Sequence, residues 1–187
     1  MRPQAYTRLY ALIRGMFWSR FRRVLDCVPR RGNLPMHPQV PAWTFEHSIE
    51  CPVSFEFAWQ FWTDVNNWVL DADVRAIELD GPFAAGARGL TRSRSSCPVE
   101  WRIAEVQTGA ALIEFPLSGA VGRFLWTFED TGGHVRITQR VTLEGEQAGT
   151  YAATFGPALE AGIPAGMYKL CESIAAARQA SLMSGAS

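Results

Sequence analysis

The chain has 187 residues, 48% of them hydrophobic, and its formal net charge is zero. This length suits one domain with a substantial core and is short for two ordinary domains. The charge is uneven, because residues 1–31 hold eight arginines and one acidic residue, which leaves ten basic and seventeen acidic residues in the rest. An acidic body argues against nucleic acid as the main partner, since phosphate binding needs a basic face on the folded part.

The cysteine pattern and the apolar runs exclude further classes. Cys27, Cys51, Cys97 and Cys171 lie far apart, with no C-x-x-C pair and no histidine at zinc-ligand spacing. We therefore predict no metal and no cofactor, and buried or free thiols in a reducing cytoplasm. No apolar run approaches the roughly 18 residues of a membrane span, and Arg14 interrupts the early apolar stretch that a secretory signal would need. The sequence thus predicts a soluble, cytoplasmic protein.

Residues 6–27 form a candidate basic amphipathic helix, although Arg20 and Arg23 project onto its apolar face. Such a helix would allow peripheral contact with an anionic membrane surface. The alternatives are a helix docked on the domain and an unstructured extension created by a start upstream of Met36. Residues 28–42 contain four prolines and are typical of a linker. The predicted organisation is a leader and linker over 1–41, a folded domain over 42–181, and a tail over 182–187.

The folded domain begins with a predicted strand over residues 43–50. Apolar residues and His47 alternate there with polar residues, which is the period of a half-buried strand. His47 is the one histidine on an apolar strand face, so it is the candidate for acid/base chemistry, with a hydrogen-bonded core histidine as the alternative. Ser54 then provides a helix N-cap.

The next helix carries aromatic residues around most of its circumference. Phe55, Trp59 and Trp62 fall on one stripe and Phe57 and Phe61 on a neighbouring one. A helix that contacts a single surface does not need such a wide apolar arc. We therefore expect this helix to contact two surfaces, such as the core on one side and a cavity or second helix on the other.

Residues 74–145 read as six strands separated by turns, which predicts an antiparallel meander. Gly132-Gly133 is a two-residue hairpin turn, and its register places Trp126 opposite Gln139 on the inner face. Gln139 would hold a ligand carbonyl or hydroxyl, or be satisfied by a neighbour. Thr91, Ser93 and Ser95 share one face of their strand and would line a cavity, unless that strand is an exposed edge.

A long amphipathic helix is predicted after Pro157. Its apolar residues recur every three or four positions: Leu159, Ile163, Met167, Leu170, Ile174 and Ala177. Pro164 is expected to kink this helix, and Gly162 and Gly166 make it thin. Small residues there leave room for a ligand between the helix and the sheet.

The stretch IECPVSFEFAWQFWTDVNNW, residues 49–68, resembles the START-like superfamily, also called SRPBCC, which includes polyketide cyclases, dehydratases, lipid carriers and the birch pollen allergen. HVRITQRVTLEG, residues 134–145, with the Gly/Ala-rich helix after it, resembles the last strand and lid helix of that group. The resemblance covers about residues 42–180. It implies an α+β helix-grip fold, in which a curved antiparallel sheet of about seven strands, with two short helices after the first strand, wraps around a long C-terminal helix. Asp64 and Trp68 match residues of the family and are expected to be structural.

The resemblance further implies a hydrophobic cavity between the sheet and the long helix, for a lipid, polyketide, quinone or similar molecule. The predicted ligand-binding residues are the polar and aromatic residues of the inner face and two from the long helix: His47, Trp59, Trp101, Phe115, Trp126, Gln139, Ile163 and Met167. A carrier or sensor is the first hypothesis. A cyclase- or dehydratase-type enzyme using His47, and an interaction module attached through residues 6–27, are the alternatives. Fold resemblance alone does not fix function.

Overall fold

The computed structural model describes residues 41–69, 74–94 and 98–184. Six of the seven strands follow the first helical segment, which confirms the predicted meander. The bounds of all seven, in chain order, are as follows: β1 Trp43–Cys51, β2 Val74–Leu79, β3 Arg88–Ser93, β4 Val99–Gln107, β5 Ala110–Leu117, β6 Ala120–Asp130 and β7 Val135–Glu144.

All seven strands form one curved antiparallel sheet in the order β1-β7-β6-β5-β4-β3-β2. The strands β2 to β7 follow one another along the sheet, and β1 joins the meander beside β7. The edges are therefore β1 and β2. Strand β3 lies between β2 and β4, so the alternative that the strand of Thr91 and Ser93 is an exposed edge is wrong.

The β6–β7 hairpin has the register expected from its turn. Gly132 and Gly133 have φ values of 83° and 101°, which a two-residue primed turn requires and which glycine adopts without strain. Trp126 lies opposite Gln139, and Phe128 opposite Ile137. This register fixes which side chains of the hairpin face the inside of the curved sheet.

The first helix, α1, spans Phe55–Thr63 and begins at Ser54, whose hydroxyl accepts a hydrogen bond from the Phe57 amide at 3.4 Å. The second of the two predicted short helices is a single 3₁₀ turn over Val65–Trp68. It starts where the Asp64 carboxylate accepts a hydrogen bond from the Asn66 amide at 3.1 Å. Asp64 therefore has the structural, helix-end role that the resemblance implied.

The long helix, α2, spans Ala148–Ser184 and includes both Pro157 and Pro164. The prediction that it begins after Pro157 is wrong. Its first turns are stabilised by Tyr151 and Phe155, which are buried in a second small core. Packing of these aromatic residues outweighs the loss of one backbone hydrogen bond at Pro157.

Helix α2 lies along the edge strand β1. Near its start, Gly156 packs against Trp43 so closely that a Cβ atom there would lie 3.1 Å from the indole Nε1. Further along, the ring of Tyr168 lies beside that of His47, and the Cys171 carbonyl accepts a hydrogen bond from the Cys51 thiol at 3.4 Å. The main core lies between α2, α1 and the concave face of the sheet.

The convex face of the sheet carries the charged residues. Arg136 lies 3.0 Å from Glu50 and 3.9 Å from Glu129, and Arg140 pairs with Glu46. Arg136 therefore pairs with acidic residues of both neighbouring strands on this outer face.

No helix within residues 41–69, 74–94 and 98–184 is long and apolar enough to cross a membrane. The amphipathic leader over residues 6–27, His37, Cys27, Ser95 and Cys97 lie outside the described residues. What the sequence predicts for them, including membrane contact, stays a prediction.

Candidate functional site: a cleft on the concave face

One row of the sheet places two polar side chains and a tryptophan side by side on the concave face. His47 of β1 lies directly opposite Gln139 of β7, and Gln139 lies directly opposite Trp126 of β6. Alternation along each strand points all three side chains inward. Three of the residues predicted for ligand binding are thus neighbours in space, although 92 positions of sequence separate His47 from Gln139.

His47 has an unsatisfied nitrogen. Its Nε2 is buried and makes no hydrogen bond, and its nearest aromatic neighbour is Tyr168 of α2, with ring centroids 6.3 Å apart. A buried polar atom without a partner is unusual and requires an explanation, such as a missing ligand or a catalytic role. Nε2 therefore does not provide the hydrogen bond that the alternative of a hydrogen-bonded core histidine requires.

Gln139 is 7% exposed and is one of two buried polar or charged residues of the described chain. The other, Glu114, lies on the convex face between Arg102 and Arg123 and is paired with both. Gln139 has no such partner, and no hydrogen bond of its amide to another described side chain is found. Its amide carries both a donor and an acceptor that can meet a ligand.

Beside this row, three phenylalanines form an apolar wall. Phe45, Phe115 and Phe124 face inward on β1, β5 and β6, yet all three are only partly buried. The rings of Phe115 and Phe124 are 4.8 Å apart. Opposite Phe115 on β6 is Gly122, which leaves a gap in the wall because it has no side chain. These rings pack against the main core and remain partly accessible, which makes them a candidate binding surface.

Helix α2 runs along β1 beside this wall. Its Ile163 and Met167 are 7% and 1% exposed and belong to the main core. We call the inward-facing surface between the phenylalanine wall and α2 the inner cleft. It is lined by the following residues: Phe45, His47, Phe115, Phe124, Trp126, Gln139, Ile163 and Met167.

One end of the inner cleft is closed by what we call the aromatic cap, whose rings contact one another: Trp59, Trp62, Trp68, Phe83, Trp101 and Phe128. Trp62 joins the cap to the cleft, since its ring lies 5.4 Å from that of Trp126. On the other side of α1, the Arg178 guanidinium of α2 lies 5.3 Å from the Phe57 ring. Helix α1 thus contacts both the sheet and a second helix, which accounts for its wide aromatic arc.

Two residues predicted to bind ligand, Trp59 and Trp101, lie in the aromatic cap rather than along the inner cleft. Trp101 is 3% exposed, its indole donates a hydrogen bond to the Thr91 hydroxyl at 3.0 Å, and its ring lies flat against Gly89. Trp68 packs on Trp101 with ring centroids 5.4 Å apart, which confirms its expected role as a packing anchor. We do not include Trp59 or Trp101 in the cleft.

None of the residues that line the inner cleft is Asp, Glu, Lys or Arg. Most charged residues of the described strands occupy the convex face, although Asp130, at the hairpin end of β6, lies opposite the inward-facing Val135. At the closed end, burial raises the pKa of the Cys51 thiol, and the neighbouring Cys171 raises it further. The Cys51 thiol is therefore protonated and unreactive at neutral pH.

Sequence reasoning missed three contributors to this site. Phe45 and Phe124 fall on inner faces by alternation but are not among the predicted ligand-binding residues, since the pattern of a strand does not show whether a helix covers it. Tyr168 lies one position beyond the apolar stripe of α2 and is 59% exposed. Only the approach of α2 to β1 brings it beside His47.

A separate open concavity of about 290 Å³ lies on the convex face. It is lined by Glu46, Leu125, Thr127, Glu129, Thr138 and Arg140. Its charges are already paired, Glu46 with Arg140 and Glu129 with Arg136. It offers no unsatisfied group for a ligand and is distinct from the inner cleft.

No family model and no curated protein sequence matches this chain. Solved structures do match it in shape. The crystal structure of Ara h 8.0201 has a TM-score of 0.60 at 13% identity, covering 72% of this chain and 98% of that chain. A point mutant of norcoclaurine synthase from Thalictrum flavum, in complex with a transition-state analogue, has a TM-score of 0.60 at 11% identity, covering 76% and 99%.

A hypothetical protein from Helicobacter pylori also matches, with a TM-score of 0.57 at 14% identity over 78% of this chain and 98% of that chain. Identities this low carry the fold and nothing finer. Each of these structures is spanned almost completely, so the shared part is a whole domain. The chain therefore has the helix-grip fold that its sequence indicated.

Proposed function

We propose that this protein binds an apolar small molecule in the inner cleft, as a carrier or a sensor. The observation that carries the proposal is the partial exposure of Phe45, Phe115, Phe124 and Trp126 on the concave face, beside the polar pair of His47 and Gln139. An accessible aromatic surface inside a fold is unfavourable in water and gains free energy when a ligand covers it. Apolar pockets with a few polar groups are the usual form of small-molecule sites.

The comparisons support this proposal at the level of the fold. One matched structure of norcoclaurine synthase from Thalictrum flavum holds dopamine and hydroxybenzaldehyde. The same fold therefore accommodates small aromatic molecules in another protein. At 11% identity, the ligands of that enzyme are not transferred to this chain.

A cyclase- or dehydratase-type enzyme is the second candidate, and the unpartnered Nε2 of His47 favours it. An imidazole in an apolar cleft would act as a general base or acid on a bound ligand, with Gln139 orienting it. Replacement of His47 by Ala separates the two candidates. A carrier keeps its ligand unchanged in both forms, whereas an enzyme loses turnover of the ligand in the His47→Ala variant.

The proposed binding function is tested with the neutral fluorescent probe N-phenyl-1-naphthylamine and a pair of glycine variants. Gly122→Val adds a side chain between Phe115, Phe124 and Leu143, where the nearest atom would be 3.5 Å from the new Cβ. Gly149→Val makes the same change where no atom lies within 4 Å of it. We expect Gly122→Val to weaken probe binding about tenfold or more and Gly149→Val to leave it unchanged. Equal binding by a folded Gly122→Val variant would place the site elsewhere.

The natural ligand is then sought by native mass spectrometry of the protein purified gently from its own cells. A discrete additional mass that is lost in the Gly122→Val variant and retained in Gly149→Val would identify a ligand of the inner cleft. An additional mass retained in both variants would contradict the proposed location.

A further inference from the structure

We infer that the ligand of the inner cleft carries an uncharged hydroxyl group, held between His47 and Gln139. This inference rests on the proposed function and adds the chemical class of the ligand. The starting observation is that two polar side chains face each other directly across the β1–β7 pair and that neither forms a hydrogen bond with another described side chain.

The spacing expected for directly opposite residues, such as His47 and Gln139, would suit a single ligand atom between them. Residues directly opposite on one face of an antiparallel pair have Cβ atoms about 4.5–5.5 Å apart. A ligand oxygen seated between the imidazole of His47 and the amide of Gln139 is therefore within reach of both. Trp126, on the other side of Gln139, provides an aromatic face against which the body of the ligand can lie.

The hydrogen-bonding capacity of the pair matches a hydroxyl group. One nitrogen of a neutral imidazole can accept a hydrogen bond, and the NH₂ group of the Gln139 amide can donate one. A hydroxyl group offers one donor and two acceptor lone pairs, so it satisfies both side chains at once. An ether lacks the donor, and a hydrocarbon lacks both.

The charge distribution argues against a carboxylate in this position. No cationic side chain is found at the inward-facing positions of the described strands, and Arg140, on the same strand as Gln139, faces outward and pairs with Glu46. The α2 side chain whose ring lies beside that of His47 is Tyr168, which is not a cationic residue. An anionic ligand would lose its hydration without gaining a fixed opposite charge.

The order of the side chains along the inner cleft indicates where the apolar part of the ligand would lie. From the polar row, Phe124 and then Phe115 continue along the apolar wall, away from the aromatic cap. The hydroxyl group would therefore lie at the inner end, next to the cap, and a planar apolar body would extend towards Gly122. A phenol, an enol or a rigid ring alcohol fits this arrangement.

Isothermal titration calorimetry with three probes of one shape tests the inference: 2-naphthol, 2-methoxynaphthalene and 2-naphthoate. We expect 2-naphthol to bind about tenfold more tightly than its methyl ether, since a site built to bind a hydroxyl rejects analogues that lack it. The advantage should fall to about twofold in Gln139→Leu and in His47→Phe. A His47→Gln variant, which keeps a donor and an acceptor, should retain part of it.

Thr138→Val is the matched control, because Thr138 is the neighbour of Gln139 that faces outward and is bonded to Ser48 at 2.7 Å. It should leave the ratio of the two affinities unchanged. Equal binding of 2-naphthol and its ether, or tightest binding of 2-naphthoate, would overturn the hydroxyl inference while leaving the proposed apolar site intact. Failure of all three probes to bind the wild-type protein would overturn the proposed function itself.

Discussion

The aromatic cap and the inner cleft occupy neighbouring parts of the same concave face and are built from the same kinds of residue. At the centre of the cap, Trp62, Trp101 and Phe128 are 2%, 3% and 4% exposed and are covered by other rings, whereas Trp59, Trp68 and Phe83 at its margin are partly buried. In the cleft, Phe115 and Phe124 also face inward but remain accessible. An inward-facing aromatic ring is therefore core or binding surface according to what covers it, and α1 covers only the cap.

The comparison predicts its largest effect at the centre of the cap. Trp62→Ala should lower the free energy of unfolding by about 3–5 kcal/mol, because it removes a ring that contacts several others and leaves a cavity. Phe124→Ala in the cleft should cost clearly less, since part of that ring already faces open space. Equilibrium unfolding in urea measures both. Equal losses would show that the cleft is as tightly packed as the cap.

Two Gly→Ala substitutions, each of which adds one methyl group, compare the packing of the cap with that of the cleft. A Cβ atom at Gly89 would lie 2.1 Å from the Trp101 ring, so Gly89→Ala forces the cap apart and should cost about 1–3 kcal/mol. At Gly122, on the wall of the cleft, the nearest atom would be 3.5 Å away, and Gly122→Ala should be nearly neutral. The difference in urea midpoint between the two variants is the measurement. A larger cost at Gly122 would contradict an open cleft.

The buried Cys51 thiol, near the aromatic cap, makes the stability of the protein depend on pH in the alkaline range. Burial raises the pKa of the Cys51 thiol above its ordinary value of 9.0. The folded state therefore holds this proton where the unfolded state releases it, so the stabilisation is complete below pH 9 and falls as pH rises above it. The expected loss from this thiol between pH 9 and 10 is about 1 kcal/mol. Unfolding curves of the wild type and of Cys51→Ala, measured at pH 9 and at pH 10, isolate the contribution of this thiol. The same pH dependence in both proteins would contradict the prediction.

The smallest expected effect concerns a single hydrogen bond of the cap. Thr91→Val removes the acceptor of the Trp101 indole and should cost about 1 kcal/mol, because a partly buried N–H is left unpaired. Thr138→Val, on the exposed convex face, removes the bond to Ser48 and should cost less. Thermal unfolding distinguishes the two. A neutral Thr91→Val variant would indicate that the indole finds water, and hence that the cap is less closed than its packing implies.

Much of this arrangement was predictable from local patterns. The seven strands, the Ser54 cap and the β6–β7 register follow from alternation, turn residues and capping chemistry, all of which act over a few residues. The start of α2 was not predictable, because Tyr151 and Phe155 stabilise its first turns through contacts with strands far away in sequence. Local signals such as Pro157 were outweighed by that packing.

The chain itself determined the hairpin register that places Gln139 beside Trp126, and the alternation that turns His47 inward. Only the tertiary structure decided that His47 and Gln139 face each other, because strand β1 closes onto β7 from the other end of the domain. Only the tertiary structure also decided which aromatic rings are core and which line a cleft. Hydrophobic burial favours the inward placement of all of them but does not specify their neighbours, and the path of α1 and α2 over the sheet does.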